Sequence, residues 1–352
     1  MLRHFGGSLL FTLAALALGA WYGWTLTGTT SGTLELLWIV LVLSVLEISL
    51  SFDNAVVNAT VLKDMDPIWQ RRFLTWGMVI AVFGMRIVFP LAIVAIAAGL
   101  NPVETVRLSL EDPARYERIV SGAHVGIAGF GGAFLAMVGL KFFFDNEKEV
   151  HWISLIEKQL ARFSRIEAVE IAVLLLALYA VSRLLAPSEA LTFIVAGMLG
   201  LVTFIAVEAV DKLLELHEES CAAIGPAVRA GLGGFIYLNV LDASFSFDGV
   251  IGAFALSNNM IVIALGLSIG ALFVRSMTIM LVHKGTLAEY RYLEHGAFWA
   301  ILALAAIMLL SAHYAIPEAV TGVIGAVLIG FSLLWSVRHN RREAALLGGG
   351  AE

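Results

Sequence analysis

Long apolar stretches separated by short polar interruptions run the length of the chain. A bilayer core takes about 20 predominantly apolar residues per helix, and ten segments meet that criterion: 8–26, 34–62, 73–99, 123–143, 168–186, 190–209, 230–256, 260–283, 296–314 and 317–337. Connections as short as "SNN" at 257–259 and "APSEA" at 186–190 join neighbours back to back. They predict antiparallel helix pairs, whereas a transmembrane barrel would show short segments of alternating polarity. The expected fold is therefore all-α, a polytopic transmembrane bundle of about ten spans. The first segment follows Arg3 and ends in Trp21, Tyr22 and Trp24, an aromatic edge that reads as a retained membrane helix and not a cleaved signal.

Composition agrees with that pattern. Hydrophobic residues make up 60% of the 352 positions and charged ones only 14%, and the mean hydropathy is +0.90, well outside the mixture of a soluble domain. The net charge of −6 is small and dispersed, which excludes a nucleic-acid binder. No Gly-rich phosphate loop, CxxC pair or HExxH motif occurs, and the single Cys221 excludes an internal disulfide. Outside the spans, Lys and Arg concentrate at the N-terminus, in the loops after spans 2, 4, 6 and 8, and at the C-terminus. By the positive-inside rule both termini are cytoplasmic, and the cell's inner (plasma) membrane is the expected location. The outer loop "NPVETVRLSLEDPARYER" is mixed in charge and predicts a surface segment. The inner loop 144–167 predicts a solvated juxtamembrane helix, preceded by Asp145, Glu147, Glu149 and His151.

Polar residues inside the apolar runs fall into a repeat. "EISLSFDNAVVNA" from Glu47 matches "DASFSFDGVIGAF" from Asp242 without a gap. Glu47 aligns with Asp242, Ser49 with Ser244, Ser51 with Ser246 and Asp53 with Asp248. The following span holds one arginine in each case, Arg86 and Arg275, and spans four and nine open on "SGAHVGIAGF" and "EHGAFWAILA". The motifs lie five spans apart, an odd offset that reverses direction across the bilayer. Two inverted halves follow, 1–188 (containing the 144–167 loop) and 189–340, with a short tail at 341–352. In secondary transporters such repeats hold substrate and coupling ions near the midplane where they meet.

An ionisable residue at mid-membrane costs at least ~2.5–3.5 kcal/mol on insertion scales and is paired or lines water. Glu47, Asp53, Asp242 and Asp248 together with Arg86 and Arg275 carry a net −2 if all are ionised, the charge that one divalent cation neutralises. Ser49, Ser51, Asn54, Asn58, Asn239, Ser244 and Ser246 surround them with oxygen donors suited to Mg²⁺, Ca²⁺ or Mn²⁺, and His124 adds an imidazole that tilts the choice toward a transition metal. On a continuous helix Glu47, Ser51, Asn54 and Asn58 share one stripe, and Asp53 lies about 120° away from Glu47. Either the two acids face different neighbours, or the helices open at "SFDN" and "SFDG".

The motifs "LSFDNA" and "FSFDGV", the arginine after each and the late "HGAFW" resemble the TerC family of integral membrane proteins, related to the LysE-type exporters. The resemblance runs from about Leu34 to Leu310. It implies metal-ion transport, best attested as manganese efflux, and carries Glu47, Asp53, Asn54, Asp242 and Asp248 as metal ligands. Gly249 replaces the Asn of the first motif, so the half-sites differ chemically. The implied protein is not an enzyme and holds no permanent cofactor. Its partners are the metal ion as substrate, protons as exchange ion and the lipid bilayer, with a second copy or soluble proteins as further candidates.

Blander readings exist for each feature. The acids could be ion-paired glue between helices, although two arginines cannot neutralise four carboxylates. His124 could be an ordinary packed histidine. "VEAVDKLLELHEESC" reads as an amphipathic surface, and "GIAGFGGAF" and "GLSIGA" as close helix packing. A dyad protease lacks its GxGD-type pattern. The alternative from another class is a non-transporting scaffold for metal delivery or stress-resistance complexes.

Overall fold

Two long helices, α1 (Leu2–Thr27) and α2 (Thr30–Leu50), open the chain. They turn back on one another at Gly28, whose φ of 63° suits a residue without Cβ. Thr29 then caps α2, its hydroxyl accepting the Gly32 N–H at 3.2 Å. The computed structural model describes residues 2–63, 65–77, 79–144, 150–163, 168–220, 232–254, 256–257, 259–283 and 289–348.

Helix α2 stops at Ser51 (φ −100°, ψ 20°), and α3 (Phe52–Lys63) resumes after it. The Ser51 N–H still reaches the Glu47 carbonyl at 3.0 Å, and the Ala55 N–H reaches that of Ser51 at 3.2 Å. The break is thus a dislocation of one residue, placed where the sequence predicts an opening at "SFDN". The second expected opening is absent: α12 (Leu232–Ala253) runs unbroken through "SFDG". A single glycine costs a helix only about 1 kcal/mol relative to Ala, and packing of α12 against α3 and α8 outweighs it.

After α4 (Pro67–Arg72) the chain widens into two π-helical segments, Phe73–Gly77 and Ile80–Val88, before α5 (Phe89–Ala98). Pro90 has no N–H to return to the Arg86 carbonyl, and the Phe89 N–H reaches back five residues to Gly84, the π register. Pro67–Gly77 and Ile80–Ile96 meet at a bend of 40°. The predicted surface segment folds as two short helices, α6 (Pro102–Glu111) and α7 (Pro113–Gly122). Their outer faces are exposed, and Tyr116 and Val120 are buried in the core.

The remaining helices are α8 (His124–Phe143), α9 (Ser154–Phe163), α10 (Val169–Ser182), α11 (Pro187–Ser220), α13 (Met260–His283), α14 (Leu293–Ser311) and α15 (Glu318–Gly348). All regular structure among the described residues is helical. Helix α8 packs between α11 and α14, and its glycines permit the approach: a Cβ on Gly129 would stand 2.6 Å from the Phe193 carbonyl oxygen. On the other side, α13 lies against α2 through Gly266 and Gly270. Both small-residue runs therefore serve close packing.

Seven helices among the described residues are long and apolar enough to cross a membrane, and the bent pair makes an eighth. Their outward faces carry large apolar side chains such as Leu13, Trp38, Leu176 and Phe331, as a lipid-facing surface does. The chain is a multi-pass membrane protein. Of the other two predicted spans, 168–186 folds as the 14-residue α10, about 21 Å long. Residues 230–256 contain α12, 22 residues long and about 33 Å.

Candidate functional site

The break at Ser51, the π-helical segment around Arg86, and helices α12 and α13 converge on a buried cavity of about 20 Å³. One water needs roughly 10–15 Å³. Glu47, Asn54, Asn58, Arg86, Asp242 and Arg275 line it, with Phe73, Ala81, Ala271, Val274 and Thr278. The dislocation places Glu47 at the end of α2, and Asn54 and Asn58 one turn apart on α3.

Glu47 and Arg86, each 4% exposed, form an ion pair. Arg86 also donates from Nη1 to the Ala81 carbonyl at 3.3 Å, and Ser51 donates to Glu47 Oε1 at 3.2 Å. Gly270 and Gly249 shape the other side of Glu47: a Cβ on Gly249 would stand 2.9 Å from Glu47 Oε2, and one on Gly270 would collide with its Cβ. Asp242 accepts at Oδ1 from Asn54 Nδ2 at 2.9 Å and, more weakly, from Asn58 Nδ2 at 3.5 Å. Arg275 lies with its Cζ 4.3 Å from the centre of the Phe73 ring, over a face that attracts cations. Its Nε and Nη2 have no hydrogen-bond partner among the described residues.

Several expected ligands stand elsewhere. Asp53 is buried but does not line the cavity. Its Oδ1 accepts the Asn54 N–H at 2.9 Å in the first turn of α3, where a helix favours an acid, and Oδ2 packs on Gly325 of α15. His124 also lies off the cavity and bonds the Ser311 carbonyl at 3.1 Å. Ser49 is on an exposed face, its hydroxyl returned to Val45, and so is no supporting group. Asn239 and Ser244 donate to the carbonyls of Phe235 and Val240 in their own helix and do not line the cavity. The side chains of Ser246 and Asp248 lie outside the described residues, as do Asp145, Glu147 and Glu149. Two acids and two arginines line the cavity among the described residues; Asp248, which the expected −2 counts, has its side chain outside them. No group of three or more His, Cys, Asp or Glu side chains there is placed to hold a metal ion.

A second polar cluster went unread in the sequence. Glu157 on α9 is 1% exposed, although the surrounding helix is largely solvated. It accepts the N–H groups of Trp152 and Ile153 at 3.0 and 3.2 Å and the Trp299 indole N–H at 3.0 Å. His151 and His295 stand 3.7 and 3.6 Å from it. Residues 150–163 are thereby pinned to α14. A tryptophan and a histidine at the start of a span were the available signal.

Fold and site together define a helical membrane protein with a buried ionic cavity at a helix break. The chain belongs to the DUF475 family, described as protein of unknown function, whose model matches residues 52–343. No curated protein and no solved structure matches it.

Proposed function

We propose that the protein exports a divalent metal cation, Mn²⁺ by its oxygen donors, in exchange for protons, through the cavity between Glu47 and Asp242. The observation that carries the reading is the buried Glu47–Arg86 pair at the α2–α3 break. Arg86 acts as a resident cation that neutralises the empty site and yields Glu47 to the arriving ion. Ionisable side chains inside a membrane bundle mark an ion or substrate pathway more often than packing. Among the described residues no thiolate lines the cavity, and a lining whose metal donors are oxygens disfavours softer metals. Protons compete for the same carboxylates, and that competition supplies the exchange.

The inverted repeat and the ten-span topology belong to this proposal, with α10 and α12 as the remaining crossings and both termini cytoplasmic in the plasma membrane. The contacts support it. Asn54 meets Asp242; Gly249, which aligns with Asn54, meets Glu47, which aligns with Asp242. Such reciprocity is what a two-fold relation between the halves produces. Packing of α3 on α14 is mirrored by packing of α12 on α8. The TerC resemblance points the same way.

In cells sensitised to manganese by loss of their own exporter, expression of the chain relieves growth inhibition, and Glu47→Gln and Asp242→Ala do not. Relief by both variants equal to that of the parent removes the site; no relief by the expressed, membrane-inserted parent removes manganese export.

A further inference from the structure

We infer that the cation is held by the amide oxygens of Asn54 and Asn58 together with Glu47, and that Asp242 is a positioning residue that turns those oxygens into the cavity. This inference rests on the cation reading above. Asn54 and Asn58 lie four residues apart on α3 and present to one face. Both direct their amide nitrogen at the same oxygen of Asp242.

A carboxylate only accepts hydrogen bonds. An Asn oxygen turned toward it would meet another acceptor, so Asp242 fixes both amides with NH₂ toward itself and C=O away. The consequence is visible: Asn54 Oδ1 and Asn58 Oδ1 are buried without a hydrogen-bond partner among the described residues, on side chains 4% and 5% exposed. Buried polar atoms are nearly always satisfied, and an exception calls for an occupant. Both side chains line the 20 Å³ cavity that Glu47 also lines.

Amide and carboxylate oxygens are the donors of hard divalent cations. Two neutral oxygens add coordination without adding charge, so the attraction stays weak enough for release, as conduction requires. Arg275, lining the same cavity, keeps a positive neighbour near Asp242. The occupant expected is a largely dehydrated Mn²⁺, Mg²⁺ or Ca²⁺ ion; a lone water is the competing outcome.

The test is Mn²⁺ binding to the purified full chain in detergent, followed by loss of the free-ion paramagnetic resonance signal. Alongside it, the Asn side-chain carbonyl bands are recorded in infrared difference spectra of protein labelled with ¹³C-asparagine. Expected results are a shifted Asn carbonyl band on Mn²⁺ loading, at least tenfold weaker binding in Asn54→Leu and Asn58→Leu, and tighter binding in the near-isosteric Asn58→Asp. Asp242→Asn retains an oxygen acceptor for the two amides and weakens binding less than Asp242→Ala or Glu47→Gln. Wild-type protein that binds Mn²⁺ with no Asn band shift, or Asn→Leu variants that bind as the parent does, overturns the amide assignment and leaves the cation reading standing. Folded wild-type protein that binds no Mn²⁺, Mg²⁺ or Ca²⁺, its cavity holding water alone, overturns both.

Discussion

Replacing Arg86 with Met removes the positive partner of Glu47 and keeps a similar apolar stem. Both groups are 4% exposed, and after the change the Ser51 hydroxyl at 3.2 Å is the one hydrogen-bond donor left to the Glu47 side chain among the described residues. Breaking a buried ion pair by removing one partner costs about 3–5 kcal/mol, because the surviving charge is left uncompensated. Removing the charge as well, in Glu47→Gln/Arg86→Met, returns most of that loss, since an exchanged neutral pair of similar volume is close to neutral in stability. The expected coupling in a double-mutant cycle is therefore large, at least about 2 kcal/mol. Equilibrium unfolding of the detergent-purified protein, read by circular dichroism, measures it. An Arg86→Met protein as stable as the parent, or a double variant no more stable than Arg86→Met, refutes the reasoning that Arg86 neutralises Glu47 in the empty site.

Glu157→Ala leaves the Trp152 and Ile153 N–H groups and the Trp299 indole without their acceptor; at about 1–3 kcal/mol per orphaned donor, residues 150–163 detach from α14 and Trp299 emission shifts to the red. Gly270→Ala forces a methyl group onto the Glu47 side chain and destabilises the protein by roughly 1–3 kcal/mol, seen as a lowered unfolding midpoint, whereas Gly330→Ala, with open space around it, does not. In a Cys221→Ser background, single cysteines placed at Gly6 and at Arg342 are labelled by an impermeant maleimide from the same side of sealed vesicles; labelling from opposite sides contradicts the proposed even number of crossings.

Much of this site was legible because helical periodicity is local. Glu47, Asn54 and Asn58 share a stripe by spacing alone, and the structure lays all three on one cavity; the same arithmetic sets Asp53 apart, and it faces α15. The break at Ser51 was also signalled, by the polar cluster "SFDN" inside the predicted span 34–62. What failed depended on neighbours that spacing does not reveal. The intact α12 follows from packing on α3 and α8, and the π-helical turn that aims Arg86 needs the register set by Pro90. Arg275 rests over Phe73, an aromatic partner distant in the sequence. Glu157 lies on a helix predicted to be solvated, and its anchoring contact with Trp299 comes from 142 residues away. His124 was drawn toward the metal by residue type, although its ring is used to tie α8 to the end of α14.

Manganese flux into liposomes that contain only the purified protein tests the central claim most directly. With a Mn²⁺-quenched dye inside, wild-type protein is expected to carry Mn²⁺ at a rate that rises when a proton gradient runs opposite to the metal, and Glu47→Gln and Asp242→Ala are expected to fall to the rate of empty liposomes. Folded wild-type protein with no flux above empty liposomes, or variants that match the wild-type rate, contradicts cation transport through this cavity.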